Sequence, residues 1–213
     1  MGILKHGPNG HLSGRVGKIV YYNLNGQNVS REIGVKTKDW SSAQIGVRSK
    51  TSVSSKLFTH FKPFFNVGFS IVTKDTTMNP FNMMVKINRP KMWTGDDLIV
   101  DYSKLELSRG VLQPGENLQA SATNQTIDFA WEAKDKMPWP ESTDLAMMIA
   151  YFPEKERVVV KIGGNARNSG GDQLQLPPSL KGLHAETYIG FVAADRKQVS
   201  DSTYLGSLEI PIA

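Results

Sequence analysis

Residues 144–152 read DLAMMIAYF, and residues 157–162 read RVVVKI across the charged turn PEKE at 153–156. In an extended chain, successive side chains point to opposite faces. Ala146, Met148 and Ala150 then share one face, and Leu145, Met147, Ile149 and Tyr151 share the other. Both faces are apolar, the pattern of a central strand with one face on a β core and the other against the N-terminal region.

Working outward, the same half of the chain carries further short β segments. NLQASA (117–122) and TIDFAWEA (126–133) are separated by a polar turn, and DQLQLPP (172–178), HAETYIGFVAA (184–194) and TYLGSLEI (203–210) complete the series. DLIVDYSKLELSRG (97–110) is expected to add one or two strands, and Trp131 is a candidate core residue. Short strands at this spacing, with no regular alternation with long helices, favour an antiparallel sandwich over a doubly wound α/β fold. An immunoglobulin-like or fibronectin-type-III-like β-sandwich is the expected architecture.

The first half reads differently. Ile45, Val53, Leu57, Phe61, Phe64 and Phe65 recur at mostly helical spacings, with Ser41 or Ser42 placed to cap the start. Pro63 is expected to bend or end this helix near Phe61. A second helix is expected over 78–87, with Thr77 or Asn79 as cap and Pro80 in the first turn. Ahead of both lies GRVGKIVYYNLNGQNVSREIG (14–34). Its runs 16–22 and 27–33 read as strands joined at Asn25-Gly26, a pair that tolerates positive φ. The expected class is therefore α+β, mainly β. Region 1–91 is a basic hairpin with short helices, and region 92–213 is an acidic β-sandwich.

Charge separates the halves. Residues 1–91 hold 14 Lys or Arg against three acidic residues, and residues 92–213 hold 11 against 17. Such asymmetry suits attraction between the halves, within one molecule or between copies of the chain, or between the basic half and nucleic acid or an anionic surface. There is no cysteine, which excludes a disulfide scaffold and cysteine catalysis. No apolar run reaches the ~18 residues of a membrane span. The start MGILKHGPNGHLSG does not read as a signal peptide, and His6 stands where a myristoylation signal wants Ser or Thr. A cytoplasmic protein, or one released as part of an assembly, is the expectation.

Motifs for chemistry are missing. GRVGK lacks the earlier glycine of a phosphate loop, and Ile19 stands where Ser or Thr should follow Lys18. KIGGNARNSGGD (161–172) has paired glycines outside the dinucleotide spacing and reads as a loop. His6, His11, His60 and His184 form no metal-ligand spacing. Asp96, Asp97 and Asp101 do not match a calcium loop. Glu132, Asp135 and Glu141 sit beside aromatic and proline residues, which suggests a carbohydrate-facing surface more weakly than a solvated one.

The ordered set SGRVGKIVYYNLNGQNVSRE (13–32), FKPFFNVGF (61–69), PFNMMVKIN (80–88), DYSKLELSRG (101–110) and FVAADRKQVSDSTYLG (191–206) resembles an uncharacterised family catalogued as a domain of unknown function, DUF6266, found mainly in Bacteroidota. The resemblance implies a shared fold over nearly the whole chain and a bacterial source. It brings no catalytic residue, cofactor or substrate. The expected role is non-enzymatic: a structural or assembly protein, without cofactor or metal, that pairs with itself or another protein through the N-terminal hairpin. Val16, Gly17, Lys18, Ile19, Tyr21, Tyr22, Gly26, Val29, Arg31 and Ile33 are the candidate interface. Tyr21 and Tyr22 are expected on opposite faces. A nucleic-acid-associated protein is the alternative, and a carbohydrate-binding or catalytic domain a weaker one.

Overall fold

In the computed structural model, the strand that decides the fold is Leu145–Phe152, every residue after Leu145 being buried. The structure describes residues 2–4, 12–24, 26–35, 38–95, 98–134 and 137–212. The elements run β1 (Gly2–Leu4), β2 (Leu12–Val16), β3 (Ile19–Leu24), β4 (Gln27–Glu32), α1 (Ser42–Gly68), α2 (Ser70–Thr73) and α3 (Pro80–Asn88). They continue with β5 (Gln119–Ala122), β6 (Thr126–Ala130), β7 (Leu145–Phe152), β8 (Arg157–Ala166), β9 (Gly171–Gln175), β10 (His184–Val192) and β11 (Thr203–Glu209). His6, His11, Asn25, Asp96, Asp97 and Asp135, singled out from the sequence, lie outside the described residues.

Three antiparallel sheets form, in strand orders β1-β2-β3-β4, β11-β10-β7-β8 and β5-β6-β9. The result is a β-rich α+β fold with a sandwich-like arrangement of the last two. Ala146, Met148, Ala150 and Phe152 of β7 share an apolar cluster with Ile127 and Phe129 of β6, Leu174 of β9 and Ile189 and Phe191 of β10. Trp131 is buried there, edge-to-face with Phe191 at 5.4 Å. The other face of β7 presents Met147, Ile149 and Tyr151 to a second cluster built on Leu57, Phe58, Phe61, Phe64, Phe65 and Met84. Alternation along one strand thus feeds two cores, as both its apolar faces require.

That second cluster holds residues from both sides of position 91. The chain separates into compact units at Met1–Gly46 and Val47–Ala213. The change of composition near 91 marks a change of secondary structure within one core.

Ser41 opens α1 with a reciprocal cap. Its hydroxyl accepts from the Gln44 N–H at 3.3 Å, and the Gln44 side-chain oxygen accepts from the Ser41 N–H at 3.0 Å. Asn79 caps α3 by accepting from the Asn82 N–H at 2.8 Å, with Pro80 in the first turn. Pro63 does not end α1, which runs on to Gly68. An internal proline costs roughly 3 kcal/mol. Phe58, Phe61, Phe64 and Phe65 on the same helix are fully buried, at roughly 1.5–3 kcal/mol each, and their sum outweighs it. At Gly68 a Cβ would lie 2.5 Å from the Leu107 carbonyl oxygen, so only glycine admits the segment that crosses there.

That segment corrects the expectation of strands over 97–110. Among the described residues, only an isolated bridge, Trp93 with Val100, and a 3-10 turn at Tyr102–Lys104 form before it. Beyond Leu105 the backbone finds other partners. The buried Asn88 side chain donates to the Glu106 carbonyl at 2.9 Å and accepts from the Glu106 N–H at 2.7 Å, pairing as a neighbouring strand would. The Leu107 N–H donates to Ser202 Oγ at 2.8 Å, the Arg109 N–H to the Gly68 carbonyl at 3.1 Å, and the Gly110 N–H to Asp201 Oδ1 at 2.9 Å.

The expected loop 161–172 is also revised, because Gly163 and Gly164 lie within β8. A Cβ on Gly164 would sit 2.2 Å from Asp172 Oδ2. The Asp172 carboxylate accepts from Lys161 Nζ, the Asn165 N–H and the Gln173 N–H, each at 2.7 Å, and so ties β8 to β9. Burial alone would push this carboxyl up, but the Lys161 ammonium and the two N–H donors hold it below its usual value.

Two outcomes follow. Asn88→Ala strands the Glu106 backbone groups and lowers stability by roughly 1–3 kcal/mol in urea denaturation; a loss within error would contradict the pairing. Because the folded pKa of Asp172 is depressed, its contribution is present above the unfolded value of about 3.9 and fades as pH falls through the folded one. Asp172→Asn is therefore expected to cost roughly 1–2 kcal/mol at pH 7, the gap to wild type narrowing in acid. A pH-independent gap would refute the ionic contribution.

Candidate functional site

Four strands in Met1–Gly46 form a meander whose register sets what each face offers. Val16 pairs with Ile19, so Gly17 and Lys18 make a two-residue turn, with Gly17 at φ +58°. Arg15 Nε donates to the Gly17 carbonyl at 2.9 Å across it. The next turn carries Gly26 at φ +84°, its N–H donating to Asn23 Oδ1 at 2.9 Å. The sequence reading placed one hairpin here. The sheet extends further toward the N-terminus, because β2 precedes the first turn and β1 pairs with β2.

Directly paired residues share a face. Tyr21 opposes Ser30 and Ile19 opposes Glu32, while Tyr22 opposes Val29 and Val20 opposes Arg31. One face therefore carries Val16, Ile19, Tyr21, Ser30 and Glu32. The other carries Arg15, Val20, Tyr22, Leu24, Val29 and Arg31. The candidate residues do not form one patch: Val16, Ile19 and Tyr21 separate from Tyr22, Val29 and Arg31. Ile33 lies past the end of β4, its N–H bonded to the Lys18 carbonyl at 2.8 Å. Val20 and Leu24, which complete the second face, were missed; alternation from Tyr22 would have found them.

None of the described side chains of residues 13–41 is buried. Val16 is 50% exposed, Ile19 41% and Leu24 53%. A depression of about 490 Å³ is lined by Val16, Lys18, Ile19, Ser30, Arg31 and Glu32.

Within Val47–Ala213 the polar groups are arranged as clamps. Arg167, only 3% exposed, donates from Nη2 to the Gln113 carbonyl at 2.7 Å and lies 4.1 Å over the Phe191 ring. Its own carbonyl accepts from Trp131 Nε1 at 2.6 Å. Asp144 Oδ2 stands 3.4 Å from Arg167 Nη2, yet neither Asp144 Oδ2 nor Arg167 Nε has a hydrogen bond. Burial pushes the Asp144 carboxyl up against the opposing pull of Arg167, and pulls the Arg167 guanidinium down. Sequence reading left Arg167 in a loop and put Asp144 at the start of the 144–152 strand, and nothing local marks a buried arginine.

The other residues weighed for chemistry are dispersed. His184 pairs with Glu154 at 3.1 Å, Asp101 with Lys104 at 2.9 Å, and Glu132 accepts from Asn117. Glu141 stands 3.8 Å from Arg167, and His60 lies beside Tyr151 with ring centroids 5.9 Å apart. Among the described residues no group of three or more His, Cys, Asp or Glu is placed to hold a metal. No helix among them is long and apolar enough to cross a membrane.

No curated protein matches the chain at a significant level. A family model does, over residues 11–206, which takes in β2 to β10, the helices and the first half of β11. The chain belongs to the family of unknown function DUF6266.

Proposed function

We propose that this chain is a non-enzymatic structural or assembly protein that self-associates through its N-terminal sheet. One observation supports the reading: a four-stranded sheet in which no described side chain of residues 13–41 is buried. Small sheets need an apolar face covered to be stable in water. The face of Val20, Tyr22, Leu24 and Val29 is apolar at its centre, with Arg15 and Arg31 at one end. Face-to-face packing with a second copy would cover it, and β4, an edge strand, offers further backbone pairing. The assembly would form inside the cell or be released from it.

The strands of Val47–Ala213 are proposed to form an immunoglobulin-like sandwich of the fibronectin type III kind. Seven strands divide four and three, and the fourth, β8, pairs with the third, β7. In the constant-type immunoglobulin arrangement the fourth strand joins the other sheet.

The charge split favours a second reading, in which Arg15, Arg31 and Tyr22 on one face grip nucleic acid. Light scattering over a range of concentration and salt separates the two. The full chain is expected to form a defined oligomer, and the double substitution Tyr22→Asp with Val29→Asp to yield a monomer with unchanged circular dichroism. Ile19→Asp on the opposite face is expected to leave the oligomer intact. A strictly monomeric full chain under all conditions would overturn self-association. Salt-sensitive binding of DNA or RNA by that monomer would move the assignment to the second reading.

A further inference from the structure

A groove of about 400 Å³ opens beside the helical core, lined by residues of Val47–Ala213 alone. Its apolar wall is made by Val53 and Leu57 from α1, Leu98 and Ile99 from the segment before Tyr102, and Pro153 from the turn between β7 and β8. Ile99 is 59% exposed and Leu98 43%, large side chains that the fold itself leaves uncovered. Tyr102 and Tyr151 line the groove with ring centroids 5.8 Å apart, and His60 stands beside Tyr151. The Lys56–Glu156 ion pair, at 2.6 Å, belongs to the same lining.

The two phenols distinguish this groove from a bare apolar surface. Tyr188 shows what a satisfied phenol looks like in this core: its hydroxyl donates to the Tyr102 carbonyl at 2.7 Å. Tyr204 likewise donates to Glu186 at 2.5 Å. Among the described residues the Tyr102 and Tyr151 hydroxyls have no such partner, and neither is among the polar atoms sealed from solvent. Tyr151 is 4% exposed, so a hydroxyl open to the groove accounts for the little surface it retains. Burial pushes the Tyr151 phenol up and Tyr102 up to about 12, which keeps both protonated and able to donate.

We propose that this groove binds a small amphipathic ligand: an aliphatic or aromatic body against Leu57, Leu98 and Ile99, with a hydrogen-bond-accepting carbonyl or carboxylate head at the Tyr102 and Tyr151 hydroxyls. The volume lies within the range of small-molecule sites, and apolar walls with a few convergent donors are their usual composition. Lys56 already pairs with Glu156, so the lining carries little net charge. A neutral carbonyl and a carboxylate share the required acceptor chemistry.

Nuclear magnetic resonance titration of the full chain with octanoate and, separately, octanamide tests this. Saturable shift changes centred on Val53, His60 and Tyr151 are expected for at least one probe. Binding of both at similar strength assigns the site to a neutral carbonyl head, and binding of octanoate alone assigns it to the anion. Ile99→Asp, at an exposed position that folding does not need, is expected to weaken binding at least tenfold. Tyr151→Phe is expected to weaken it by roughly 3–10-fold, the loss of one hydrogen bond. No saturable change with either probe, or changes that Ile99→Asp leaves as strong, would overturn the proposal.

Discussion

Burial of both faces of β7 is the constraint on which the rest of the 47–213 unit depends. Ala146, Met148 and Ala150 need one cover and Met147, Ile149 and Tyr151 another, and a single strand can supply neither. The three-stranded sheet meets the first need and the phenylalanine-rich helix the second. This explains why a helix with an internal proline survives. Phe61 and Phe64 flank Pro63 and are both anchored in the second cluster, so fraying the helix there would expose side chains worth more than the lost hydrogen bond.

Polar side chains then complete what the strands leave unpaired. Asn88 stands in for a strand opposite Glu106, and Arg167 donates to the Gln113 and Pro114 carbonyls while its guanidinium lies over the Phe191 ring. Asp172 joins the two sheets at their β8 and β9 edges. Each satisfies part-buried backbone at a point where the regular ladder stops.

What was legible in the sequence follows from these physics. Alternation in 144–152 fixed both faces of β7, and the helix caps at Ser41 and Asn79 were readable because capping is local. Segment 105–110 was not readable as a non-strand, because its partners lie at Gly68, Asn88 and Ser202. The paired glycines at 163 and 164 resembled a loop because the close approach of Asp172 is a tertiary fact. In the meander, Tyr21 and Tyr22 do fall on opposite faces, but the candidate patch split because the pairing of Leu24 with Gln27 sets Val29 opposite Tyr22 and Arg31 opposite Val20, away from Ile19 and Tyr21. The Tyr102–Tyr151 groove had no sequence signal, since its walls come from three separated stretches.

Segment 105–110 has a consequence for the order in which this protein assembles. It owns no ladder of its own, and its hydrogen bonds reach back 18 residues to Asn88 and forward 95 residues to Ser202. Closing the longer of these loops carries an entropic cost that no nearby contact offsets beforehand. The segment behaves as a clasp: it has nothing to fasten to until α3 and the turn into β11 are in place. Its closure joins the middle of the chain to its end, so it is expected to close late in folding rather than within the nucleus.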